Sequence, residues 1–136
     1  MVQATEFLKT IEDFTSLCLP SEDFKTNICK ITEAKWEIPL NPLKGTLIQP
    51  IENNIGKPLL FPYQINKGEV LRFTISSNRF LRGMVRKIVG TVLMIGKGKI
   101  MLDEFKETVS AKKDFRIHYL APPNGLFLSK VIYPYL

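Results

Sequence analysis

The sequence is poor in the residues that most recognisable chemistries need. It has two cysteines, Cys18 and Cys29, and a single histidine, His118. A disulfide scaffold requires a denser cysteine pattern. The two thiols can pair, but nothing demands it, so a cytoplasmic compartment is the expectation. So few nitrogen and sulfur ligands argue against a protein-built zinc site, and no metal is expected. The nucleophile elbow G-x-S-x-G is absent. So are a P-loop and the G-x-G-x-x-G fingerprint; Gly96-Lys97-Gly98-Lys99 has neither the P-loop spacing nor its following Ser or Thr. No apolar run approaches the ~18–20 residues of a membrane span. The longest, residues 88–95, is eight residues long and contains Gly90 and Thr91. The N-terminus has no charged start, apolar stretch or small-residue cleavage site, which predicts no signal peptide and no membrane partner.

What is present reads as one folded domain. The 136 residues are 45% hydrophobic and 24% charged, which excludes disorder as a description of the whole. A chain of this length buries roughly two-thirds of its unfolded surface. Nineteen basic against thirteen acidic residues give a net charge of +6. That leans toward an anionic partner, nucleic acid being the commonest, and is equally compatible with a solvated surface.

Hydrophobic spacing sets the expected elements. Phe7, Leu8, Ile11, Phe14, Leu17 and Cys18 recur at three- and four-residue steps, predicting a helix over 4–18. Residues 27–38 alternate, predicting a strand with Ile28, Lys30, Thr32, Ala34, Trp36 and Ile38 on one side. Residues 39–68 hold Pro39, Pro42, Pro50, Pro58 and Pro62, which reads as an ordered insertion with short edge strands. A strand over 69–76 follows. The strongest helix is predicted over 79–95, with Leu81, Val85, Ile88 and Val92 central to its apolar face. A short helix over 103–112, with Asp103 and Glu104 in its first turn, and a last strand over 126–133 complete the order. This is α+β: a mainly antiparallel sheet with helices on one face.

The informative stretch runs from Asn78 to Lys99. It carries six basic residues, Arg79, Arg82, Arg86, Lys87, Lys97 and Lys99, and no acidic one. Arg79, Arg82 and Arg86 fall opposite the apolar face, with Gly83 and Gly90 beside them. Such a face either meets an incoming backbone with charge, or is solvated while its glycines pack on a neighbouring strand.

These residues also form a motif. Phe80-Leu81-Arg82-Gly83-Met84-Val85-Arg86-Lys87-Ile88-Val89-Gly90 resembles the F-L-x-x-M-V-R-x-I-V-G segment of the TruA-type tRNA pseudouridine synthases. Ala121-Pro122-Pro123-Asn124-Gly125-Leu126-Phe127-Leu128, running on to Val131, Tyr133 and Pro134, is similar to the family's closing A-x-x-x-G-L-Y-L-x-x-V-x-Y-P stretch. Glu12-Asp13-Phe14-Thr15 looks like its H-D-F-S/T, with Glu in place of His. The resemblance covers residues 4–38 and 69–136 and leaves the insertion at 39–68 unplaced.

The resemblance implies half of a pseudouridine synthase fold, isomerisation of uridine to pseudouridine in tRNA, and no metal or organic cofactor. The family's catalytic aspartate lies in a G-R-T-D motif. None of the four aspartates here (Asp13, Asp23, Asp103, Asp114) has that context. The chain therefore looks like the C-terminal half, inactive alone, with an N-terminal catalytic half and a second copy in a homodimer as implied partners beside tRNA. By the resemblance Arg86 keeps the missing aspartate ionised, and Leu126 packs against the target base. Arg79, Arg82, Lys97 and Lys99 would hold phosphates. Phe80 reads as core. Arg86 is expected to be solvated, or held by a borrowed acid or anion. An apolar surface is expected where the other half would sit. Two other readings stand beside this one: a non-catalytic basic RNA-binding module, and a dimerisation or docking domain.

Overall fold

The computed structural model describes residues 1–23, 25–37 and 71–134. The predicted insertion at 39–68 lies outside them. The elements are α1 (Val2–Leu8), β1 (Ile31–Glu37), β2 (Arg72–Ser77), α2 (Met84–Gly96) and α3 (Leu102–Ser110), with single 3-10 turns at Thr15–Leu17 and Pro123–Gly125. This is an α+β arrangement. β1 and β2 pair antiparallel, with Trp36 opposite Phe73 and Ala34 opposite Ile75.

One helical period at the N-terminus is produced by a backbone that is not helical. The helix expected over 4–18 ends at Leu8, and a separate turn spans Thr15–Leu17. Between them the chain hydrogen-bonds to a neighbouring segment instead of to itself. Phe14 N donates to Asn27 O at 2.9 Å, and Cys29 N donates to Glu12 O at 2.8 Å. Phe14 and Leu17 still reach the core, fully buried. Burial alone therefore kept the three- and four-residue spacing.

The strand expected over 27–38 with a single alternating side begins at Ile31, and one extra residue interrupts its alternation. The register slips between Ile31 and Glu33, so Thr32 is extra. An extra residue reverses the side-chain parity on one side of the bulge. Cys29 and Ile31 point inward before it and Ala34 after it, while Lys30 and Thr32 are exposed.

α2 begins five residues later than expected. Gly83 sits at φ +64°, in the left-handed region where a helix cannot pass and where glycine is at ease. The residues before it are fastened elsewhere. Asn78 Oδ1 accepts from Lys30 N at 2.8 Å, and Leu19 N donates to Arg82 O at 2.8 Å. From Gly83 on the helix is regular, burying Met84, Ile88 and Val92 at four-residue steps.

α3 matches its expected position, with Asp103 and Glu104 in its first turn. Lys112 lies past its end in a left-handed conformation. The core joins Leu8, Phe14, Leu17, Met84, Ile88, Val92, Ile100 and Phe105. Phe105 lies between Phe7, edge-on at 5.8 Å, and Phe115, stacked at 5.8 Å. Trp36 packs on Phe73 at 4.7 Å, and its Nε1 donates to Thr5 Oγ1 at 3.0 Å, tying the sheet to α1.

The strand expected over 126–133 is not one. Leu126 has extended backbone, but among the described residues no strand pairs with this segment. A β-prone segment becomes a strand only against a neighbour. Leu128 and Ile132 are 74% and 76% exposed. No helix among the described residues is long and apolar enough to cross a membrane.

Removing the central ring should show where the stability lies. Phe105→Ala is expected to lower the unfolding free energy by about 3–5 kcal/mol, read as a lower urea midpoint. A midpoint unchanged from wild type would contradict this account of the core.

Candidate functional site

The site is built where α2 starts. Arg86 lies in its first turn, half-buried. Its Nε donates to the carbonyl of Ala121 at 2.6 Å, and the amide of Ala121 donates back to the carbonyl of Arg86 at 3.1 Å. The side chain and backbone of one residue thus hold both the carbonyl and the amide of another. The guanidinium plane is set by its Nε edge. Among the described residues its two terminal nitrogens meet no acid and make no hydrogen bond. Arg86 is expected from the sequence to be solvated, or held by a borrowed acid or anion; instead it is half-buried and a backbone carbonyl orients it.

The close approach depends on Gly90, one turn further along the same face of α2. A Cβ there would lie 2.9 Å from the carbonyl carbon of Tyr119 and 2.9 Å from its ring Cδ1, with the carbonyl oxygen nearer still. The arginine–glycine face of α2 therefore receives a backbone, and that backbone belongs to this chain. From Ala121 the chain passes through the Pro123–Gly125 turn, and Leu126 N donates to Pro123 O at 3.0 Å. Leu126 emerges 47% exposed.

The six basic residues do not make one patch. Lys87 is buried, donating to Cys18 O at 3.3 Å and pairing with Asp114 at 3.5 Å. Arg79 is a staple: its Nε donates to Ile28 O at 3.0 Å, and its Nη2 donates to the carbonyl and hydroxyl of Thr26. Arg82 is exposed just before α2. Lys97 and Lys99 are exposed beyond its other end, about 20 Å away at 1.5 Å per residue. Phe80 is 38% exposed beside Arg79, not core as its sequence context suggested.

Lys87 was missed as a structural residue, although the wheel carried the signal. It stands three residues after Met84 and four before Thr91, both buried. A charge within that stripe needs a partner inside the fold. Its ammonium draws the Cys18 thiol down, while burial, the larger effect, pushes it up. Both cysteines are buried and unpaired. His118 is exposed, and among the described residues no cluster of three or more His, Cys, Asp or Glu can hold a metal.

The Asp13-Phe14-Thr15 motif is a fastening. Asp13 Oδ1 accepts from Thr15 N at 3.0 Å and from Thr15 Oγ1 at 2.6 Å, and Oδ2 pairs with Lys112 at 2.9 Å. Burial pushes the Asp13 carboxyl up, but the Thr15 bonds and Lys112 together outweigh it and hold it below the ordinary value. Stability from a carboxyl lowered in the fold is complete above its unfolded pKa and is lost as the pH falls through its folded one. The difference in Tm between wild type and Asp13→Asn should be widest at neutral pH and close below about pH 4. A difference that does not change with pH would contradict this.

Comparison with known proteins bears on the whole chain. A sequence model described as tRNA pseudouridine synthase matches residues 11–134. A tRNA pseudouridine synthase A from Azobacteroides pseudotrichonymphae is 32% identical over 134 residues, covering 98% of this chain and 43% of that protein. The protein of the same name from Bacteroides fragilis is 35% identical over 134 residues, covering 98% of this chain and 42% of its own length. One from Campylobacter jejuni RM1221 is 48% identical over 61 residues, or 45% of this chain and 25% of that protein. The chain thus spans 43% or less of the length of these relatives. No solved structure matches it.

Proposed function

The chain belongs to the tRNA pseudouridine synthase family, and on that premise we propose that it is the C-terminal portion of an enzyme that isomerises uridine to pseudouridine in tRNA. The observation that carries this is the state of Arg86: aimed by Ala121, half-buried, and without an acid among the described residues. A carboxylate supplied by the N-terminal portion of the synthase would complete it. A cation at hydrogen-bonding distance keeps such a carboxylate ionised inside a closed site. In the reaction the bond from C1′ to N1 of uracil breaks and one from C1′ to C5 forms, while C5 loses a proton and N1 gains one. The change is redox-neutral and needs no electron acceptor.

Leu126, exposed directly after the turn that Arg86 anchors, suits an apolar contact to a base taken out of its stack. The exposed apolar residues of 126–133 would find their strand neighbour in the N-terminal portion. Arg82 at one end of α2 and Lys97 with Lys99 at the other suit phosphates well separated along one strand. Arg79 contributes by holding the 26–28 segment and adds charge beside them. A homodimer and a cytoplasmic location complete the reading.

The test uses the full-length protein. Arg86→Gln should lower pseudouridine formation at acidic pH by about 10–10³-fold, the span of a carboxylate pKa raised by 1–3 units, while tRNA affinity holds. Activity equal to wild type would remove Arg86 from the site and leave an RNA-binding or docking module. Replacing Lys97 or Lys99 by Ala should flatten the dependence of log K on log salt by about 0.7–0.9 each. An unchanged slope would take them out of the tRNA interface.

A further inference from the structure

Building on the reading of Arg86 above, we infer that segment 114–121 is a strap that positions Arg86, and that Gly90 and Lys87 are the positioning residues that seat it. The strap is fastened to α2 at both ends by adjacent residues. Lys87 pairs with Asp114 at 3.5 Å, and Arg86 holds Ala121 by two hydrogen bonds of 2.6 and 3.1 Å. Between these points Phe115 is buried and stacked on Phe105, and Tyr119 lies against Gly90 with no room for a Cβ. Arginine has four rotatable side-chain bonds, and the acceptor that fixes its far end is the Ala121 carbonyl. Where that carbonyl sits is decided by how closely Tyr119 approaches Gly90. The strap runs on into the Pro123–Gly125 turn and Leu126, so one displacement moves both the orienting carbonyl of Arg86 and the base-contacting leucine.

A methyl group at position 90 must push the Tyr119 backbone outward, because the atoms it meets are a carbonyl and the root of a ring. At Lys87 the loss is gentler. Methionine fills the buried space, Asp114, whose side chain is 77% exposed, is left in water, and the Cys18 carbonyl loses one donor.

The experiment is done on the full-length enzyme with tRNA, with arginine Nε–H groups followed by NMR. Gly90→Ala is expected to lower kcat by about 10²-fold, the cost of a misplacement near 1 Å. KM for tRNA should stay near wild type, and the Arg86 Nε–H signal, slow to exchange in wild type, should become fast. Lys87→Met should shift the same signal and lower kcat less. If Gly90→Ala does not fold, Lys87→Met decides. A purely structural role predicts a lower Tm with kcat and the Arg86 signal unchanged in the folded protein, and that result overturns the inference. Arg86→Gln keeps the two claims apart. If it leaves activity intact, the functional reading of Arg86 has failed. If it abolishes activity while both positioning variants keep wild-type kcat and a protected Nε–H, only the strap has failed.

Discussion

Two backbones can come within hydrogen-bonding distance only where no side chain stands between them, and Gly90 is where α2 meets that condition. Because Tyr119 can lie directly on the helix, Ala121 reaches Arg86, its amide finds the helix carbonyl, and its own carbonyl takes the guanidinium Nε. The orientation of Arg86, the path into the Pro123–Gly125 turn and the emergence of Leu126 all follow from that approach. A glycine inside a helix costs about 1 kcal/mol relative to alanine. Here the cost is offset by two hydrogen bonds and by an ordered site.

The cationic residues of this region divide their labour by depth. Lys87, the deepest, spends its charge inside the fold on Cys18 O and Asp114. Arg79 holds the 26–28 segment. Arg86 is fixed at one edge and open at the other. Arg82, Lys97 and Lys99 stand in solvent at the two ends of α2. A net charge of +6 thus overstates what one face of this molecule presents to an anion. The exposed positive charge stands at the two ends of a helix instead of gathering in one patch.

Arg86 stands out in the sequence because Met84-Val85-Arg86 is a side-chain pattern at fixed spacing. Its orienting partner does not, since a backbone carbonyl leaves no mark on residue identity. The same distinction explains the other differences. Phe14 and Leu17 announced their burial but not that their segment bonds to residues 27–29. The alternation over 27–38 was visible, but the extra residue at Thr32 was not, because a bulge changes parity without changing composition. The apolar run 126–133 showed its strand propensity; whether it pairs depends on a neighbour elsewhere. Lys87 was legible on the helical wheel, where it falls between buried positions, and was obscured by the basic residues around it. The α+β class was readable from periodicity, and the position of α3 from the carboxylates Asp103 and Glu104 at its start.

On the proposed reading Arg86 keeps a carboxylate ionised. The most direct test of this is the pH dependence of kcat in the full-length enzyme, with wild type compared against Arg86→Gln at saturating tRNA. An arginine beside a carboxylate lowers its pKa by about 1–3 units. The acidic limb of the profile should therefore move upward by about that much in the variant. A limb that stays in place as activity falls would mean that Arg86 does not act on the carboxylate, and the account of this site would be wrong.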